Sequence, residues 1–127
     1  MNTEVSSSRM KVAVLGATGM VGRRLVELLI SHPEFEVHML VGSEESVGLP
    51  YRTVWEKKER DLEDHYGSHF WRPYPFPELL NNPRVASFQD LLRSGIELVF
   101  SSVPDRAGYF EEQLLASGRL VFCLVKA

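Results

Sequence analysis

The chain has 127 residues, 44% of them hydrophobic and 24% charged, and carries a formal net charge of -3. That length fits one domain able to bury a core, and the acidic balance argues against a nucleic-acid partner, which requires a basic surface. No apolar run reaches the roughly 18 residues of a membrane-spanning helix, so no membrane partner is expected.

Residues 1–9 are polar and Ser-rich, lack the apolar stretch of a secretory signal, and read as a disordered leader. The domain is expected over residues 10–127. Met10–Leu15 (MKVAVL) has the length and β-branched content of a buried parallel strand. A glycine-rich turn, residues 16–22, follows it. Leu25, Val26, Leu28, Leu29 and Ile30 then recur at helical spacing with Arg23, Arg24 and Glu27 between them, and the helix should stop near His32 because Pro33 disfavours helical geometry before it. Phe35–Val41 reads as a second strand, completing a βαβ unit with the usual right-handed crossover.

The middle of the chain is less regular. Residues 43–50 form a loop. Residues 55–65 (WEKKERDLEDH) are compatible with a surface helix and read as a solvated charged face. Residues 66–83 hold most of the prolines together with Trp71, Tyr74 and Phe76, and cannot be a central strand. Two readings stand for them: an ordered insertion held by its aromatics, or a partly disordered loop. The irregular insertion is expected to span about residues 56–83. A short helix at 88–93, a strand at 97–101, a helix at 108–117 with Tyr109, Phe110, Leu114 and Leu115 as its apolar set, and a last apolar run at 120–125 complete the chain. The alternation predicts an α/β fold: a single-domain, doubly wound Rossmann-type parallel sheet with helices on both faces.

The strongest chemical signal is GATGMVG, residues 16–22, set directly between a strand and a helix. A dinucleotide's pyrophosphate needs backbone N–H donors aimed at it and no side chain in the way, and a helix N-terminus supplies both donors and partial positive charge. In this reading Gly16 permits the tight turn, Gly19 the close approach of backbone to phosphate, and Gly22 the packing of helix on strand.

The glycine spacing, the sequence GATGMVGRRLVELLISHPEFEV with its His32-Pro33 pair, the segment LVFSSVP at 98–104, and Ala107-Gly108 and Ala116-x-Gly118 beyond it resemble the aspartate-semialdehyde dehydrogenase family. The likeness covers both ends of the chain and is poor between about residues 56 and 83. It implies that Gly16, Thr18, Gly19, Met20, Val21 and Gly22 hold the cofactor's pyrophosphate. Ser43 and Ser46 match the loop that reads the adenosine ribose and its 2′-phosphate, where Glu45 stands in place of a common arginine. NADP is the cofactor the resemblance implies; Glu45 opens NAD, because a carboxylate repels a 2′-phosphate but accepts a hydrogen bond from a 2′-hydroxyl. Ser101, Ser102 and Pro104 match the segment beside the nicotinamide, or else form a strand end closed by a proline turn.

The reaction implied is the NAD(P)-dependent interconversion of an acyl phosphate and an aldehyde, aspartate semialdehyde in amino-acid biosynthesis, through a cysteine thiolate and a histidine acid–base. No residue here matches either of those, so no catalytic residue is assigned and whether the lone chain is an enzyme stays open. Cys123, the only cysteine, lies inside LVFCLV and reads as an inert buried strand residue; a single cysteine excludes an intramolecular disulfide and fits a reducing compartment, so a cytoplasmic location is expected. His65 and His69 stand four apart, but Gly67 interrupts the helix that would align them, and no metal site is expected. The chain should bind a dinucleotide and catalyse nothing alone, with self-association or a missing C-terminal substrate domain covering its exposed face. Two relatives of the idea remain: an N-acetyl-glutamyl-phosphate reductase-like fragment, and a non-catalytic NAD(P)-binding regulatory module of the NmrA-like kind.

Overall fold

The computed structural model describes residues 9–104 and 108–124. The expected leader therefore lies, apart from Arg9, outside the described residues. Four parallel strands, β1 (Met10–Leu15), β2 (Phe35–Val41), β3 (Leu98–Ser101) and β4 (Leu120–Cys123), form one sheet in the order β2-β1-β3-β4. β1 is central, and Val12, Ala13, Val14 and Leu15 are all buried because helices cover both faces. Helices α1 (Met20–Leu29) and α2 (Tyr51–Tyr66) pack with Val14 and Leu40 on one side. Helices α3 (Phe88–Arg93) and α4 (Gly108–Ala116) pack with Ala13, Leu15 and Val99 on the other. This is the doubly wound α/β architecture that the alternation of elements predicts.

Four local expectations are corrected. In α1, Leu28 is 72% exposed while Arg23 is 1% exposed, because the helix turns Arg23 toward a carboxylate on α2. The charged stretch at 55–65 is part of α2 and is solvated over Glu56, Lys57, Lys58, Arg60 and Asp61, as expected, but Trp55 and Glu59 continue a buried stripe from Tyr51 and Val54 at helical spacing. Residues 67–83 run back along it with one 3-10 turn at Glu78–Leu80. Phe76 packs edge-on against Trp55 and tilted against Tyr51, and the Trp55 indole N–H donates to the Tyr74 carbonyl at 2.9 Å. In α4, Leu114 is buried, but Tyr109 and Leu115 are exposed and the buried polar partner is Glu111.

The last correction concerns β4. Leu120, Phe122 and Cys123 are exposed, not buried. The strand pairs with β3 alone among the described residues, so it is a sheet edge with little packed over it. The burial from which the Cys123 thiol was expected to be inert is absent. No helix among the described residues is long and apolar enough to cross a membrane.

Candidate functional site

The chain leaves β1 to one side to make β2 and returns across it to make β3, so the carboxyl ends of β1 and β3 frame a switch point. Open parallel sheets bind ligands at such points. A cleft of about 570 Å³ lies there, walled by Gly16 and Gly19 after β1, Gly42 and Ser43 after β2, and Ser102 and Pro104 after β3.

The three glycines of the turn have three different physical reasons. Gly16 sits at φ +81°, a backbone region that side chains disfavour, and a Cβ there would meet Ser102 Oγ at 2.9 Å. Gly22 is where α1 crosses the turn: a Cβ would lie 2.0 Å from the Gly16 carbonyl oxygen. Gly19 has neither constraint. Its φ is -78°, and a Cβ would meet only the Gly16 oxygen, at 3.6 Å, an ordinary contact. Internal packing gives no reason for glycine here; room in the cleft does.

Gly19 is also the N-cap of α1, with no side-chain cap and no acidic residue in the first turn. The N–H groups of Met20, Val21 and Gly22 have no intrahelical acceptors by the geometry of any helix start. The helix's own first turn thus supplies no anion to its positive end. Behind it, two carbonyls of the turn are held by buried side chains. The Tyr51 hydroxyl donates to the Ala17 carbonyl at 2.7 Å, and Arg23 Nη1 donates to the Thr18 carbonyl at 2.7 Å. Burial pushes the Tyr51 phenol well above its ordinary range, against the smaller pull of Arg23 and Arg24, so it stays protonated as a donor.

Arg23 Nε in turn donates to Glu59 Oε2 at 3.0 Å, and Arg24 ion-pairs with the same oxygen. The other oxygen, Oε1, accepts from the Trp71 indole at 3.1 Å and the Tyr74 backbone N–H at 3.0 Å. Burial raises the Glu59 carboxyl, but the Tyr74 N–H and the two arginines outweigh it and hold the group below its usual range. The Arg24 guanidinium stacks 3.4 Å from the Tyr74 ring centroid.

Not every sequence-predicted residue reaches the cleft. Gly16, Thr18, Gly19, Ser43, Ser102 and Pro104 wall it. Met20, Val21 and Gly22 stand just behind, at the start of α1. Ser46 is 8% exposed and donates Oγ to the Ser43 carbonyl at 2.9 Å, bracing the loop under Gly42. Glu45 is exposed outside the wall, and its neighbour Glu44 lines it. Ser101 is fully buried and donates to Glu111, whereas Ser102 Oγ donates toward the Leu15 and Gly16 carbonyls at 3.2 and 3.1 Å and so ties β3 to the glycine turn.

The sequence also missed wall residues. Lys58, from α2, is the one cation lining the cleft among the described residues; it is as exposed as its charged neighbours, and nothing in the sequence singles it out from them. Ser87, Phe88 and Gln89 line the far side, and the Ser87-x-x-Asp90 spacing that signals their helix start is in the sequence, closing a capping box at 3.0 and 3.1 Å. No group of three or more His, Cys, Asp or Glu residues among those described could hold a metal ion.

A doubly wound parallel sheet with a glycine turn opening a helix at its switch point defines a Rossmann-type nucleotide-binding domain. The family model described as "Semialdehyde dehydrogenase, NAD binding domain" matches residues 11–125, and the chain belongs to that family. It is 32% identical over 106 residues to the aspartate-semialdehyde dehydrogenase of Saccharomyces cerevisiae, covering 83% of this chain and 26% of the relative. The Methanothermobacter thermautotrophicus enzyme of that name is 32% identical over 93 residues, 73% of this chain and 23% of its own. The solved structure of aspartate semialdehyde dehydrogenase with NADP from Candida albicans superposes with a TM-score of 0.71 at 28% identity, covering 94% of this chain and 30% of that one. The chain spans about a quarter of the length of the relatives it matches.

Proposed function

We propose that this chain is the cofactor-binding part of an NAD(P)-dependent dehydrogenase that interconverts an acyl phosphate and an aldehyde, with aspartate semialdehyde, an intermediate of amino-acid biosynthesis, as the substrate. The observation that carries the reading is Gly19: a helix N-cap with no packing reason to be glycine, facing a cleft at the sheet's switch point. In this reading the amides of the turn and the start of α1 hold the pyrophosphate, Ser43 and Glu44 meet the adenosine ribose, and Ser102 to Pro104 flank the nicotinamide. The bound cofactor supplies hydride transfer; the residues of this chain bind, orient and exclude water. Cys123 is outside the cleft wall, so the thiolate and the acid–base histidine come from the rest of the enzyme, and this chain binds without catalysing. The exposed apolar edge at β4 is the surface that such a domain, or a second copy, covers.

NADP is the cofactor proposed, because Lys58 lines the cleft and offers positive charge to a 2′-phosphate. Calorimetric titration of the chain with NAD and NADP tests this. Binding of either supports a working cofactor site, a preference for NADP supports the assignment of Lys58, and heat from neither removes the proposal while leaving the fold.

A further inference from the structure

An anion cradle made of backbone works only if its peptide planes are turned the right way. In a planar trans peptide the carbonyl of one residue and the N–H of the next point in opposite directions. Fixing the Ala17 carbonyl therefore aims the Thr18 N–H, and fixing the Thr18 carbonyl aims the N–H of Gly19. Both carbonyls are fixed from behind the turn, by Tyr51 and Arg23, each at 2.7 Å. The Gly19 N–H bonds the Gly16 carbonyl at 3.2 Å. The Thr18 N–H has no acceptor among the described residues, although Thr18 is only 7% exposed and lines the cleft. Orphaned N–H groups at buried residues are rare, and this one is aimed opposite to the side on which Tyr51 holds the plane.

Tyr51 is itself immobilised. It is fully buried, its ring packs against Trp55 at 5.8 Å and Phe76 at 6.0 Å between centroids, and its backbone N–H donates to the Pro83 carbonyl at 2.7 Å. Arg23 is held equally firmly by Glu59, which is saturated by Trp71 and Tyr74. All of these partners belong to α2 and the aromatic segment that folds back along it.

We infer that Tyr51 is a positioning residue for the anion site, turning the Thr18 amide into the cleft as its free donor, while the Arg23–Glu59 pair holds the next peptide so that its Gly19 N–H closes the turn on the Gly16 carbonyl. Helix α2 and the aromatic segment folded along it are thus the template against which the glycine turn is set. The anion is a phosphate oxygen, which either half of a dinucleotide's pyrophosphate or inorganic pyrophosphate presents. Taking it as the dinucleotide's rests on the function proposed above; the presence of a built donor at Thr18 does not.

Tyr51→Phe removes the hydroxyl and keeps the ring packing, so it is the variant of choice. NAD, NADP and inorganic pyrophosphate are titrated into wild type and variant well below the unfolding temperature, with Thr18 and Gly19 amide shifts followed by NMR. The expected result is a loss of about tenfold in affinity for all three, an unchanged NADP-to-NAD ratio, and a Thr18 amide shift on pyrophosphate binding that is displaced in the variant. Arg23→Lys, which keeps the charge but loses the forked contact, should weaken all three ligands alike and shift the Gly19 amide even without ligand, as its bond to the Gly16 carbonyl loosens. A Tyr51→Phe protein that is less stable yet binds all three like wild type overturns the inference and leaves the cofactor reading intact. Wild type that binds pyrophosphate through Thr18 but neither dinucleotide supports the inference and sinks the cofactor reading. Failure to bind any of the three overturns both.

Discussion

A methyl group added at Gly22 would lie 2.0 Å from the Gly16 carbonyl oxygen and 2.8 Å from the Gly16 carbonyl carbon, both backbone atoms that cannot swing aside. To reach even the 3.0 Å floor of real contacts, the amino end of α1 has to retreat by about an ångström from β1. Overpacking of this kind costs about 1–3 kcal/mol, with a backbone clash at the upper end. Replacing glycine by alanine within a helix returns about 1 kcal/mol. Gly22→Ala should therefore lose about 2 kcal/mol of stability, a fall of about 6–12 °C in Tm for a chain of this length.

Gly19→Ala, three residues earlier in the same turn, should behave oppositely. Its Cβ meets nothing closer than 3.6 Å and its backbone angles suit alanine, so stability should stay within about 0.5 kcal/mol of wild type. The methyl group stands where an anion would approach the helix start. Losing one charge-assisted hydrogen bond there costs about 1.5–3 kcal/mol, or about 10- to 100-fold in affinity. Thermal unfolding followed by calorimetric titration of both variants with NADP reads the two effects separately. Should Gly19→Ala melt as early as Gly22→Ala, or bind NADP as wild type does, the assignment of different physical duties to these glycines is wrong.

Three further outcomes are expected. Lys58→Ala should weaken NADP by up to about fivefold, the upper end for one exposed charge pair, and leave NAD unchanged; equal losses for both cofactors would move Lys58 away from the 2′-phosphate. Glu59→Gln leaves the buried Arg23 and the part-buried Arg24 poorly compensated and should cost about 3–5 kcal/mol at neutral pH. Because the folded Glu59 carboxyl lies below its ordinary value of 4.5, its contribution is complete above that value and is lost as pH falls through the lowered one. Acid denaturation should accordingly show a steeper loss of stability below pH 4.5 in wild type than in Glu59→Gln, and parallel curves would count against the ion cluster. The exposed edge residues Leu120, Phe122 and Leu124 should drive concentration-dependent self-association in sedimentation experiments, relieved by Phe122→Lys; a monomer at every concentration would refute this.

The sequence by itself determined the strands, the glycine turn and the order of the elements. MKVAVL and LVFS are short apolar runs that suit a doubly covered sheet, and Gly16, Gly19 and Gly22 run from the strand end through the helix cap into the first turn of α1. These signals are local, carried by composition and period over a handful of neighbours. What the tertiary structure decided lies at longer range. Arg23 and Glu59 are 36 residues apart and each alone reads as a surface charge; only the packing of α1 beside α2 makes them a buried pair. Lys58 reaches the cleft, and Glu44 rather than Glu45 borders it, because of how α2 and the loop after β2 are rotated about the sheet's end. The run ending in Cys123 is as apolar as a core strand, yet it is an exposed edge, since burial depends on which neighbours a strand has and not on its own residues.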